Sequence, residues 1–190
     1  MKIFVTGVAG QLGHDVMNEL AKRGYEGIGS DVALEYTGIQ DGSAVTKMPY
    51  VSLDITNKNA VEQTLEQIRP DVVIHCAAWT AVDMAEDDDK VEKVRAVNAG
   101  GTENIALVCK KLDCKMVYTS TDYVFDGQGE KPWDPDCKDY KPMNVYGQTK
   151  YEGELAVSRN LEKYFIVRIA WVFGVNGKNF IKTMLNVGKT

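Results

Sequence analysis

Several chemistries are missing from this sequence. Its four cysteines, Cys76, Cys109, Cys114 and Cys137, form no C-x-x-C pair and no zinc-type spacing with its two histidines, His14 and His75. Zinc ligands come at short, regular spacings, so no metal site is expected. The thiols read as reduced cysteines of a cytosolic protein. No apolar run approaches a membrane span, and the opening MKIFVTG reaches glycine too early for a signal-peptide core. Positive charge is not in excess: 22 Lys and Arg stand against 27 Asp and Glu, a net charge of -5. That balance gives nucleic acid and anionic membrane no electrostatic hold. Internal repeats and low-complexity tracts are absent as well. The composition therefore predicts a soluble, cytoplasmic protein that meets small solutes. Its 190 residues, 44% of them hydrophobic, suffice for one domain with a proper core.

Short runs rich in β-branched residues alternate with longer helical patterns. Strands are expected at Lys2–Thr6, Glu26–Ser30, Tyr50–Asp54, Asp71–Cys76, Lys115–Ser120 and Phe165–Ala170. Asp71–Cys76 is nearly unbroken apolar sequence, as in a strand buried on both faces. Helices are expected over Leu12–Lys22, with Leu12, Val16, Leu20 and Ala21 inward, and over Lys58–Ile68, stopped by Pro70. Others follow over Val91–Leu112, interrupted by Gly100 and Gly101, from Asn144 onward, and over Phe180–Val187. The acidic run Glu86–Asp89 reads as the solvated start of a helix, where carboxylates suit the dipole. Repeated βαβ alternation predicts an α/β fold, a doubly wound parallel sheet of Rossmann-like type. The stretch 125–143, with three prolines and Trp133, is long for a loop in a compact domain, and such loops usually carry function.

Thr6-Gly-Val-Ala-Gly-Gln-Leu-Gly13 joins the first strand to the first helix. Its glycines, Gly7, Gly10 and Gly13, are spaced G-x-x-G-x-x-G rather than the G-x-G-x-x-G of the dinucleotide fingerprint. The physics is shared: a tight turn brings backbone N–H groups and a helix N-terminus to a diphosphate. Asp31 ends the second strand, where an acid can hold an adenosine ribose, and no Arg or Lys follows before Lys47. A nicotinamide dinucleotide is therefore expected, NAD(H) or NADP(H), leaning to NAD(H).

In open α/β sheets ligands bind beyond the carboxyl ends of the strands. Four such ends carry unusual sequence: TGVAGQLG, CAAWTAVD, STDYVFDG and AWVFG. Ala77 and Ala78 are small enough for backbone to approach a cofactor. Ser120 and Thr121 place hydroxyls at a strand end, and Tyr146 and Lys150, four apart, share a helix face. Carbonyl reduction needs a proton and a hydrogen-bond donor where hydride addition makes an oxyanion. A tyrosine near a lysine cation, which lowers its pKa, can supply them. Gly147 and Gly153 break the rules of that helix, and a side chain at Gly147 is expected to crowd the ligand.

With these residues in place, the chain resembles the extended short-chain dehydrogenase/reductases, and among them the dTDP-4-dehydrorhamnose reductases. The matching motifs run along the chain: TGVAGQLG, LDIT, AAWTAVDMAE, VNAGGTENIA, STDYVFDG, NVYGQTKYEGE and RIAWVFG. The resemblance implies a catalytic trio of Thr121, Tyr146 and Lys150. It implies cofactor contacts at Gly7, Gly10, Gln11, Leu12, Gly13, Asp31, Asp54, Ile55, Ala77 and Ala78, shared by Tyr146 and Lys150. It places a nucleotide sugar at Thr80, Val82, Asp83, Tyr123 and Trp171. The implied reaction reduces the 4-keto group of dTDP-4-dehydro-L-rhamnose to dTDP-L-rhamnose. Tyr146 would give the proton, Lys150 would lower its pKa and bind ribose, and Thr121 would hold the keto oxygen. A homodimer is left open.

Family members are longer by roughly half again, so residues 1–190 are expected to be the NAD(P)-binding domain with only the first part of the substrate region, about 123–143 and 171–190. Two rivals stand beside this reading. Related dehydratases follow the catalytic threonine with Asp-Glu, whereas Asp122 here precedes Tyr123; an epimerase is less clearly excluded. A regulatory subunit like that of methionine adenosyltransferase would keep the fold and bind NADP without turnover.

Overall fold

The computed structural model describes residues 1–189; Thr190, at the end of the expected substrate region, lies outside the described residues. Its elements in chain order are β1 (Lys2–Thr6), α1 (Gln11–Lys22), β2 (Glu26–Asp31), β3 (Tyr50–Ser52), α2 (Lys58–Ile68) and β4 (Val72–His75). They continue with α3 (Val91–Arg95), a π-helical turn (Ala96–Gly101), α4 (Thr102–Leu112), β5 (Lys115–Thr121), α5 (Val145–Asn160), β6 (Tyr164–Ile169) and α6 (Phe180–Val187). The six strands form one sheet in the order β3-β2-β1-β4-β5-β6, and every neighbouring pair is parallel. Winding runs outward from β1 to one edge, then returns to β4 and runs to the other. The order reverses between β1 and β4, so their carboxyl ends open a crevice.

Helices on both faces explain the unbroken apolar strands. In β1, Ile3 and Val5 pack with Val8, Met17 and Leu20 on the α1 side, while Phe4 packs with Leu65, Val73, Ile105 and Met116 on the other. The larger core lies on that second face, beneath α2, α4 and α5. Pro70 ends α2 as expected: Arg69 turns left-handed (φ 49°) and its N–H closes on the Leu65 carbonyl.

Four local expectations are corrected. The buried stripe of α1 is Gly13, His14, Met17 and Leu20; of the expected residues Leu20 is buried and Val16 packs against the same cluster, whereas Leu12 is turned toward the crevice. Strand β3 stops at Ser52, and the Asp54 carboxylate then turns the chain by accepting from Thr56 N (2.9 Å) and Thr56 Oγ1 (2.7 Å). Gly100 and Gly101 do not break the helix. The chain passes through a π turn there, and a Cβ on Gly101 would sit 2.7 Å from the Ile55 side chain. Glu86, finally, does not start its own helix: its carboxylate accepts from Val145 N at 2.7 Å, at the start of α5.

The other edge is bare. Phe165 and Val167 on β6 are 72% and 43% exposed, and α6 buries none of its side chains.

Candidate active site

A cavity of about 870 Å³ opens at the carboxyl ends of the strands. Gly7, Gly10, Gln11, Leu12 and Gly13 form its floor. The turn is tight for identifiable reasons. Gly7 is left-handed (φ 73°), and a Cβ on it would lie 2.6 Å from Ala77 N; a Cβ on Gly13 would lie 2.2 Å from the Gly7 carbonyl oxygen. Helix α1 begins without a side-chain cap and without an acid in its first turn. No side chain of its own occupies its first N–H groups, which fits an anionic diphosphate.

Asp31, Asp54, Ile55, Ala77 and Ala78 wall the same cavity. Asp31 also braces the turn: its carboxylate accepts from Ala9 N at 3.0 Å and Val32 N at 2.8 Å. Beneath the floor, His75 bridges Thr6 Oγ1 (2.7 Å) and Thr102 Oγ1 (3.1 Å). Burial lowers its pKa to about 3, so it is a neutral strut.

The trio meets at the opposite wall. Thr121 ends β5, and Tyr146 and Lys150 rise from the first turns of α5, whose Asn144 cap accepts from Gly147 N at 2.7 Å. The Tyr146 phenol and Thr121 line the same cavity, and the ring of Tyr123 stands edge-on to that of Tyr146 at 5.7 Å. Thr121 Oγ1 donates to Asp122 Oδ1 and accepts from Tyr123 N, both at 3.2 Å. Lys150 is buried: its Nζ donates to the Thr119 carbonyl at 2.7 Å and lies 4.3 Å from the centre of the Tyr118 ring.

Electrostatics here depart from the expectation. Burial brings Lys150 down from 10.5 to about 7, against the opposing pull of Cys76 and Glu154. Burial also pushes the Tyr146 phenol up, with the Thr121 side chain opposing the rise and Asp122 and Tyr123 adding to it. The expected lowering of Tyr146 by Lys150 is thus not met in this geometry. Desolvation sets the direction, and the ammonium is turned to the Thr119 carbonyl and the Tyr118 ring.

Thr80, Val82, Tyr123 and Trp171 line the outer part of the cavity. Trp171 is held left-handed (φ 51°), an unfavourable conformation for a bulky residue, with its ring edge-on to Phe180 at 5.2 Å. Asp83 is the exception among the expected residues. It opens a single helical turn, Asp83–Glu86, stays exposed and does not line the cavity. The sequence reading missed Lys93, Val97 and Lys178, which do line it. Nothing local marks them, since each is brought in from a distant segment. It also missed Glu154, buried one turn beyond Lys150 on the same face. An acid at that spacing from Tyr146 and Lys150 was a usable signal.

Comparisons with known proteins agree with this architecture. The chain is 36% identical over 189 residues to the dTDP-4-dehydrorhamnose reductase of Salmonella typhimurium, covering all of this chain and 57% of that one. A Bacillus anthracis dTDP-4-dehydrorhamnose reductase, solved in complex with NADP, superposes with a TM-score of 0.84 at 38% identity, over 99% of this chain and 59% of the other. A Thermus thermophilus UDP-glucose 4-epimerase, in complex with NAD, gives 0.78 at 26% identity, over 92% and 56%. The chain thus spans little more than half the length of these relatives. The family described as the RmlD substrate binding domain matches residues 1–190, and the chain belongs to that family.

Proposed function

We propose that this chain supplies the cofactor site and catalytic groups of an NAD(P)H-dependent reductase. Its substrate would be dTDP-4-dehydro-L-rhamnose, reduced at the 4-keto group to dTDP-L-rhamnose. One observation carries the reading: Thr121, Tyr146 and Lys150 line the same cavity as the glycine turn of Gly7, Gly10 and Gly13. A bound nicotinamide dinucleotide supplies the hydride. Addition of hydride leaves negative charge on the keto oxygen, so the residues must hold that oxygen and protonate it. A phenol kept protonated by burial is in the right state to give a proton, and Thr121 is placed to hold the oxygen. Lys150, one turn along, is assigned to the ribose hydroxyls of the cofactor.

The cradle residues Gly7, Gly10, Gln11, Leu12 and Gly13 are assigned to the diphosphate, with Ala77 and Ala78 leaving room above it. Asp31 is assigned to the adenosine ribose and Asp54 and Ile55 to the adenine end. With no cation following Asp31 before Lys47, NAD(H) is favoured, although the B. anthracis relative was solved with NADP. Thr80, Val82, Tyr123 and Trp171 are assigned to the nucleotide sugar, within the segments 123–143 and 171–189. No helix among the described residues is long and apolar enough to cross a membrane, and we place the reaction in the cytoplasm, where the cofactor is reduced.

The test is oxidation of NADH and of NADPH, followed at the nicotinamide absorbance, in a chain of the relatives' full length. Oxidation should require a 4-keto nucleotide sugar and should fall at least about a hundredfold in Tyr146→Phe. Turnover in Tyr146→Phe equal to the parent chain would refute the catalytic assignment.

A further inference from the structure

A second cluster lies one helical turn from the trio, and the reading above gives it no task. Glu154 is buried, only 3% exposed. Its Oε1 accepts from Ser120 Oγ at 2.6 Å and from Arg168 Nε at 2.9 Å, and its Oε2 accepts from Arg168 NH2 at 2.7 Å. Ser120 immediately precedes Thr121 on β5, and Arg168 stands on β6. The same Arg168 nitrogen donates to the Tyr140 hydroxyl at 2.8 Å. The guanidinium lies 5.0 Å from the centre of the Tyr140 ring and 5.3 Å from that of Phe125. Phe125 stacks on Trp133 at 4.5 Å, and Tyr140 packs on Tyr151 of α5 at 4.6 Å. One carboxylate thus joins β5, β6, α5 and the long loop 125–143.

Stability alone is a poor reason for such a pair. Buried ion pairs lose about as much in desolvation as they gain in attraction, and apolar replacements are often no less stable. The pair does fix geometry. Gly153, beside Glu154, lets α5 approach so closely that a Cβ there would meet the Tyr118 hydroxyl at 2.3 Å. Lys150, four residues before Glu154, reaches the same strand through the Thr119 carbonyl.

We propose that Glu154 is a positioning residue for the cofactor pocket: pinned by Ser120 and Arg168, it sets α5 against the end of β5 and so places Lys150 and Tyr146, and Tyr140 fastens the 125–143 loop to the same ion pair. The inference rests on the cofactor reading given above. Its electrostatic consequence falls on Lys150. The titratable groups facing that lysine are His75 and Cys76 from β4 and the residue after it, Tyr118 from β5, and Tyr146 and Glu154 on α5. His75 is neutral above about pH 3, the Cys76 thiol is pushed up to about 12, and burial raises both tyrosines. Glu154, ion-paired with Arg168, is the one carboxylate among these groups, and its charge favours the protonated form of Lys150.

The experiment titrates NADH and NADPH into the chain by nicotinamide fluorescence from pH 6 to 9. It compares the parent chain with Glu154→Gln, Glu154→Asp and Lys150→Met, each checked for fold by circular dichroism. Affinity of the parent should weaken as pH rises through the Lys150 pKa. Removing the Glu154 charge lowers that pKa, so the midpoint should move down by about one pH unit in Glu154→Gln. Glu154→Asp, which keeps the charge but withdraws it, should fall between the two. A merely structural role would lower the melting temperature and leave the midpoint in place. If Lys150→Met abolishes the step but Glu154→Gln does not move it, the positioning role is overturned while the cofactor reading stands. If the parent binds neither cofactor, or Lys150→Met keeps the step, the cofactor reading itself is overturned. Should Glu154→Gln not fold, a parent-like midpoint in Glu154→Asp overturns the proposal.

Discussion

Lys150 shows what burying a charge costs a fold. Its ammonium is buried, and its pKa falls from 10.5 to about 7 because the charged form is desolvated. The sign follows from linkage. Below pH 7 both folded and unfolded chains carry the proton, and the full penalty of burying the charge is present. Between pH 7 and 10.5 only the unfolded chain stays protonated, so the penalty fades as pH rises. Its ceiling is about 5 kcal/mol, from 1.36 kcal/mol per pKa unit. The hydrogen bond to Thr119 and the contact with Tyr118 return part of it. Lys150→Met should therefore stabilise the chain by about 2–4 kcal/mol at pH 6. The gain should shrink toward zero near pH 10, as read from urea unfolding at each pH. That outcome would mean that the lysine is kept for a reason other than stability, and the proposed cofactor contact is such a reason.

Helix α5 illustrates how glycine can be dictated by neighbours. Two interior glycines cost about 1 kcal/mol each relative to alanine, and the sequence alone suggested that Gly147 makes room for a ligand. The structure assigns a different neighbour. A Cβ on Gly147 would lie 2.3 Å from the Tyr123 carbonyl oxygen, backbone that cannot step aside, and Gly147 does not line the cavity. Gly147→Ala should thus destabilise by about 1–3 kcal/mol, overpacking outweighing the gain in helix propensity. The check is the denaturation midpoint. A stabilised variant would show that the first turn of α5 stands clear of Tyr123. The same element shows Glu86, from a segment 59 residues away, capping Val145 N. One residue of an acidic run that looked merely solvated, Glu86, is part of the start of α5.

At the scale of the whole molecule, one sheet brings distant segments to one cavity, and apolar side chains stay exposed on β6 and α6. Phe165 and Val167 on β6 and Phe180, Ile181, Met184 and Leu185 on α6 are exposed. Apolar side chains left exposed in this way promote association. Replacing Phe165 and Val167 together by threonine should raise the solubility of this chain. The unfolding free energy should change by no more than about 0.5 kcal/mol, because neither side chain is in the core. A large loss of stability would show that this side of β6 is already packed.

Much of this was legible without coordinates. The order of strands and helices followed from the period of the apolar residues. The glycine turn, Asp31, Thr121, Tyr146 and Lys150 were legible because their chemistry is local: a turn next to a strand, a hydroxyl at a strand end, a pair four apart on a helix. Lys93, Lys178 and the Ser120–Glu154–Arg168–Tyr140 cluster were not, since their partners are far away in the chain. Nor was the direction of the Tyr146 shift, which depends on how much water the folded chain removes from the phenol. The sequence by itself determined which elements form and which groups can do chemistry, because backbone sterics and side-chain type act over a few residues. Only the tertiary structure decided which of those groups meet, which lie buried and which charges face one another, because desolvation and packing exist only once the sheet has assembled.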